Sequence, residues 1–108
     1  MEGNLRYIIT FVPETHAVAV RLAMGNVGAG KIGNYTHCSF SVKGTGRFIP
    51  QTGAHPALGK VGEIEEVPEE RIEMVCRAEL LNEVITAIKK AHPYEEVPIF
   101  IFPLENVE

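Results

Sequence analysis

Two stretches of this chain set residue types at spacings that chemistry uses. The first is Gly25 to Phe48, GNVGAGKIGNYTHCSFSVKGTGRF, with the spacing G-x-x-x-x-G-K at Gly25, Gly30 and Lys31. In a P-loop, backbone N–H groups wrap the phosphates, the lysine reaches the terminal ones, and a following Ser or Thr hydroxyl holds magnesium. Here Ile32 follows Lys31, so that hydroxyl is missing. A P-loop also follows a strand and opens a helix. This stretch follows an expected helix and opens an expected strand, where glycines serve as helix C-caps and turn residues. A small anion-binding nest at Gly28 to Lys31 is what survives of the motif.

The second stretch is His92-Pro93-Tyr94-Glu95-Glu96, a titratable imidazole, a phenol and two carboxylates within five residues. It can serve as an acid–base or ligand-contacting cluster. It can equally be a helix stop and strand entry, with Tyr94 packed and the glutamates solvated or paired across subunits. The structural role is the expectation, and no catalytic residue is assigned. The other metal-capable residues are His16, His37, Cys38, His55 and Cys76, and no C-x-x-C or H-x-x-x-H spacing joins them. Adjacent His37 and Cys38, on one expected strand, point to opposite faces and cannot chelate one ion together. No metal site and no cofactor is expected.

The elements that must position these residues follow from length and periodicity. One domain over residues 1–108 is expected, large enough for a core without staples. The apolar fraction of 45% is ordinary globular composition. Net charge is −4 with pI about 5.6 and no cluster of Lys or Arg, which argues against a nucleic-acid partner. No apolar run approaches the ~18 residues of a membrane span, and the N-terminus lacks the regions of a signal peptide. Cys38 and Cys76 read as small buried hydrophobes in strand interiors rather than a disulfide, and the expected compartment is the cytoplasm.

Leu5 to Val12 reads as a strand, with Tyr7, Ile9 and Phe11 on one face and Ile8 and Val12 on the other. Apolar residues on both parities imply cover on both sides. Pro13 and Glu14 open a helix over 14–24, with Val18 and Leu22 on its apolar face and Gly25 as its stop. Tyr35 to Lys43 alternates as a half-buried strand. Gly44-Thr45-Gly46 reads as a turn, with residues 47–49 a short return arm and 50–62 a long excursion. Glu63 to Glu70 carries five Glu in eight residues and reads as a solvated edge kept from pairing by charge and Pro68. A strand over 71–76 follows. A helix over 78–91 then has the stripe Leu80/Leu81, Val84/Ile85, Ile88 and Ala91. Val97 to Phe102 is the last strand, again apolar on both parities.

This order is the α+β, ferredoxin-like βαββαβ unit, with two helices on one face of an antiparallel sheet and a hairpin insertion. The other face needs cover, and a second copy of the chain is the simplest source.

The motifs GAGKIGNYTHCSFSVKGTGRFIP, GAHPALGKVGEIEEVPEERIEMVC and KKAHPYEEVP together resemble the PII/CutA-like domain of the NIF-three-like family, the YqfO and YbgI proteins. The resemblance covers nearly all of residues 5–104 and is similar to the short, stand-alone form. HPYEEVP also resembles the HPYEVP run of CutA. Asn34, where Asp is common, and the apolar IFIFPL ending depart from the pattern. The resemblance implies a three-fold homo-oligomer, with a dimer as the alternative, and a site in a cleft between subunits. The family's metal ligands lie in a different domain that no segment here matches, so neither metal site nor hydrolase role carries over.

The function expected is a small oligomeric module that senses an anionic metabolite or nucleotide, or binds a protein partner. Its candidate ligand-binding residues are Gly28, Gly30, Lys31, Tyr35, His37, Lys43, Arg47, His92, Tyr94, Glu95 and Glu96. The alternatives are a small hydrolase using His92 with Glu95 or Glu96, and a structural regulator of a separate dinuclear-metal protein.

Overall fold

The computed structural model describes residues 4–105. Strand β1 (Leu5–Pro13) leads through a 3-10 turn at Glu14–His16 into helix α1 (Ala17–Asn26). Strands β2 (Phe40–Phe48) and β3 (Glu65–Arg77) follow. A second 3-10 turn at Ala78–Leu80 enters helix α2 (Leu81–Ala91), and β4 (Ile99–Leu104) closes the order. The sheet runs β2-β3-β1-β4, and every pairing is antiparallel. This is the expected βαββαβ arrangement.

Register sorts the side chains onto two faces. Ile8, Thr10 and Val12 stand opposite Met74, Ile72 and Glu70. Ile8 and Thr10 also face Ile101 and Ile99. This face packs on the helices, and Ile8, Val12, Ile72 and Met74 form one core with Val20, Met24, Val84 and Ile88. The opposite face carries Tyr7, Ile9 and Phe11 of β1, Phe100 and Phe102 of β4, and Phe40, Val42 and Phe48 of β2. No element of the described chain covers its outer parts: Phe40 is 63% exposed and Phe102 50%.

Three expectations are corrected. Residues 35–39 are loop, and β2 starts at Phe40 and runs straight through Gly44-Thr45-Gly46. The acidic 65–70 segment is no free edge: it is the first half of β3 and pairs with β2 from Phe48↔Glu65 to Lys43↔Glu70. Pro68 fits there because β1 ends at the Pro13↔Glu69 pair, so at Pro68 the strand has one neighbour to hydrogen-bond. This two-stranded overhang draws the molecule out to 49 Å along its longest axis.

The third correction concerns α1. Val18 and Leu22 face outward, and the buried side is Ala17, Val20 and Met24. Both sides of this helix are apolar, so periodicity did not choose between them; packing against the sheet and α2 did. Helix α2 behaves as its stripe predicts, with Val84 and Ile88 fully buried and Leu80, Leu81 and Ala91 beside the core.

Candidate functional site

The loop after α1 folds on itself. The N–H of Gly28 donates to Gly25 O (3.0 Å), that of Ala29 to Met24 O (3.1 Å), and that of Gly30 to Val75 O (2.7 Å). An anion nest needs such N–H groups unengaged, so these three do not form one. Gly30 has φ +79°, and a Cβ there would stand 2.5 Å from the Cys38 carbonyl oxygen. This glycine therefore staples the loop to β3.

His37 also departs from the strand expected for it. It sits in the loop at φ 60°, with its ring packed on Gly25. Its Nε2–H donates to the Asn26 side-chain carbonyl (2.9 Å), and Nδ1 accepts from the Thr36 hydroxyl (3.0 Å). It thereby clasps the end of α1. Lys31 and Tyr35 are exposed in the same loop, where Tyr35 bridges back to Ile32. Cys38 lies in this loop too, and Cys76 is buried in β3; both are free thiols.

The second stretch lies elsewhere and lines a cavity of about 740 Å³ on the uncovered sheet face. Phe11, Val42, Gly44, Gly46, Phe48, Glu69 and Arg71 form its floor. The excursion supplies Pro50, Ala54, Pro56, Ala57 and Leu58, and residues 94–98 close the other side. Two hydrogen bonds hold these walls together. The His55 N–H donates to Glu95 Oε1 (2.7 Å), and the Thr10 hydroxyl donates to Pro98 O (2.8 Å).

Of the candidate residues, Lys43, Arg47, Tyr94, Glu95 and Glu96 line this cavity. Gly28, Gly30, Lys31, Tyr35 and His37 do not. His92 lies beneath it, buried. Its Nε2–H donates to Phe11 O (2.7 Å), while Nδ1 accepts the Tyr94 N–H (3.2 Å). Burial lowers its proton affinity, opposed in part by the Phe11 carbonyl and the nearby Glu69 charge. Both ring nitrogens are engaged, so His92 offers no free lone pair to act as a general base. It locks the bend before Tyr94 instead, which is the structural alternative for this segment.

Tyr94 is the hinge of the site. Its hydroxyl donates to Glu69 Oε2 (2.7 Å), and its ring meets Phe48 edge-on at 5.6 Å. Burial, then the hydrogen bond to Glu69, push its phenol pKa well above the ordinary value. Arg71, the cation on the cavity floor, already has a partner in Glu73 (2.9 Å). Arg71 also lies over the Phe11 ring, 6.0 Å from its centroid. Lys43 and Arg47 project their side chains by register to the other face, opposite Glu70 and Glu66, and Arg47 pairs with Glu66 (2.6 Å).

Sequence reading missed Glu69, Gly46 and the rings of Phe11 and Phe48. A usable signal existed. Gly46 and Glu69 both lie in runs that look like turn and solvated edge, yet each needs the other. A Cβ on Gly46 would stand 2.0 Å from Glu69 Oε1, so the glycine makes room for the carboxylate.

No family model matches the sequence. Among curated proteins, the chain is 46% identical over 103 residues to the "GTP cyclohydrolase 1 type 2 homolog" of Halalkalibacterium halodurans, and that match covers 95% of the chain. It spans only 28% of that relative's length. A Bacillus cereus protein related to NIF3 superposes with a TM-score of 0.84 at 48% identity, covering 96% of this chain and 26% of that one. The CutA protein of Archaeoglobus fulgidus, a periplasmic divalent cation tolerance protein, superposes at TM-score 0.66 and 20% identity, over 96% of this chain and 87% of its own. The GlnK protein of Bacillus subtilis, solved with ATP, does so at 0.64 and 12%, over 96% and 84%. At such identities these last two show the fold alone.

An antiparallel β2-β3-β1-β4 sheet with two helices on one face thus defines a protein of the PII/CutA-like, ferredoxin-like class. Within that class the sequence matches are specific. The chain belongs to the NIF-three-like family, of whose long members it corresponds to about a quarter.

Proposed function

We propose that this chain is an oligomeric ligand-sensing module whose site is the cavity on the uncovered sheet face. The observation that carries this reading is the coincidence of the two features. The cavity opens on the same face where Phe40, Val42, Phe100 and Phe102 stand exposed. An apolar face of this kind is where copies of a chain associate, and a site beside it is shaped by that association. Three copies closing around the sheets are favoured over two. The cavity's size suits a metabolite, since ligand sites commonly span about 300–1,000 Å³. Two free thiols fit a reducing compartment, and we place the protein in the cytoplasm.

GlnK, a structural neighbour solved with ATP, makes nucleotides one class of ligand to screen. Light scattering should give three times the chain mass of 11.9 kDa, and a thermal-shift screen of nucleotides and small metabolites should raise the melting temperature with at least one of them. A monomer in solution, or a screen with no shift, would remove the support for this reading.

A further inference from the structure

We infer that the cavity takes an organic cation, an ammonium group carried on an apolar body, with Glu69 as its counter-charge. The inference rests on the reading of the cavity as a ligand site, and it names the class of ligand. Glu69 is only 7% exposed. Its Oε2 accepts the Tyr94 hydroxyl, whereas no donor among the described residues bonds Oε1. No fully enclosed side-chain oxygen among them lacks a partner, so Oε1 keeps access to the cavity that Glu69 lines. A carboxylate this buried calls for a second donor or a cation. Gly46 is what leaves room for that oxygen.

The rest of the wall has the same preference. Arg71 is engaged with Glu73, and Arg47 stands by register on the other face of β2, paired with Glu66, so neither guanidinium is free to hold an anion here. Glu95 and Glu96 add negative charge. An anion entering here would meet the Glu69 charge at short range. An ammonium brings three donors and a positive charge to Oε1. The rings of Phe11, Phe48 and Tyr94 suit its apolar body and attract a cation at their faces.

The test uses benzylammonium as the probe, with benzyl alcohol and benzoate as its neutral and anionic counterparts. Each is titrated by calorimetry and by amide NMR into the protein in its native assembly state. Benzylammonium should bind saturably, shift the Gly46 and Tyr94 amides, and bind about tenfold or more tighter than benzyl alcohol, the factor expected of one charge-assisted hydrogen bond. Glu69→Gln keeps an acceptor for the Tyr94 hydroxyl. It should remove that tenfold preference, while Glu83→Gln, on the exposed side of α2 and away from the cavity, leaves it in place.

Benzoate or ATP binding in the cavity more tightly than benzylammonium overturns the cationic assignment and leaves the ligand-site reading standing. Unchanged benzylammonium affinity in Glu69→Gln does the same. Dissociation of the assembly by Glu69→Gln would assign the partner cation to a second copy and overturn the free-ligand proposal. If none of the probes binds, and nucleotides do not either, the ligand-site reading fails with it.

Discussion

At the scale of single residues, the site is organised by one partly buried hydrogen bond, from the Tyr94 hydroxyl to Glu69. Gly46 permits it by lacking a side chain. Gly46→Ala should push the Glu69 carboxylate off Tyr94 and lower stability by about 1–3 kcal/mol, the cost of leaving a buried polar group unpaired. The shift of the urea midpoint measures this, and a stability within error of the parent would show that Glu69 moves without loss.

His92 makes a pH-dependent contribution. Its folded proton affinity lies below that of the unfolded chain, whose ordinary value is 6.5. Between the two values the unfolded chain binds more protons, so stability rises with pH through that window. The contribution is fully present above 6.5 and is lost as pH falls toward the folded value. Protonation of Nδ1 would also forfeit the Tyr94 N–H bond. Melting temperatures across about pH 5–8 should therefore fall on the acid side, and His92→Gln should flatten the fall. An equally steep fall in that variant would assign it to other groups.

At the scale of elements, the helices and the central strands followed from periodicity, whereas the β2–β3 overhang did not. Local propensity reads Gly44-Thr45-Gly46 as a turn and 63–70 as a charged edge, because glycine and glutamate are poor strand residues. Their pairing makes sense only once β2 and β3 lie side by side. The α1 face shows the same limit. Met24 is fully buried, while Leu22 is 52% exposed. Met24→Ala should cost about 2–5 kcal/mol, and Leu22→Ala about 0.5 kcal/mol or less. Equal losses on denaturant unfolding would contradict the packing of α1. Leu22→Ala is informative in a second way, because an unexpectedly large loss would mean that another chain covers that side.

At the scale of the whole molecule, the uncovered sheet face is the main unsatisfied feature of the fold. Phe102→Asp places a charge amid Phe100, Tyr7 and their neighbours without touching the helix-side core. Self-association through this face predicts that the variant stays folded by circular dichroism and falls to the mass of one chain by light scattering. A variant that keeps the parent's mass would place the contact elsewhere.

By itself the sequence determined the order of elements, the two-faced strands β1 and β4, the amphipathic α2 and the family. These are written in local periodicity and in runs of specific residues. Only the tertiary structure decided which of the candidate residues meet. It separated the Gly28–His37 loop from the cavity, engaged both nitrogens of His92, and brought Glu69 to Tyr94 across 25 positions of the chain. The reason is physical: register between strands distant in sequence sets which side chains share a face, and no local pattern encodes that register.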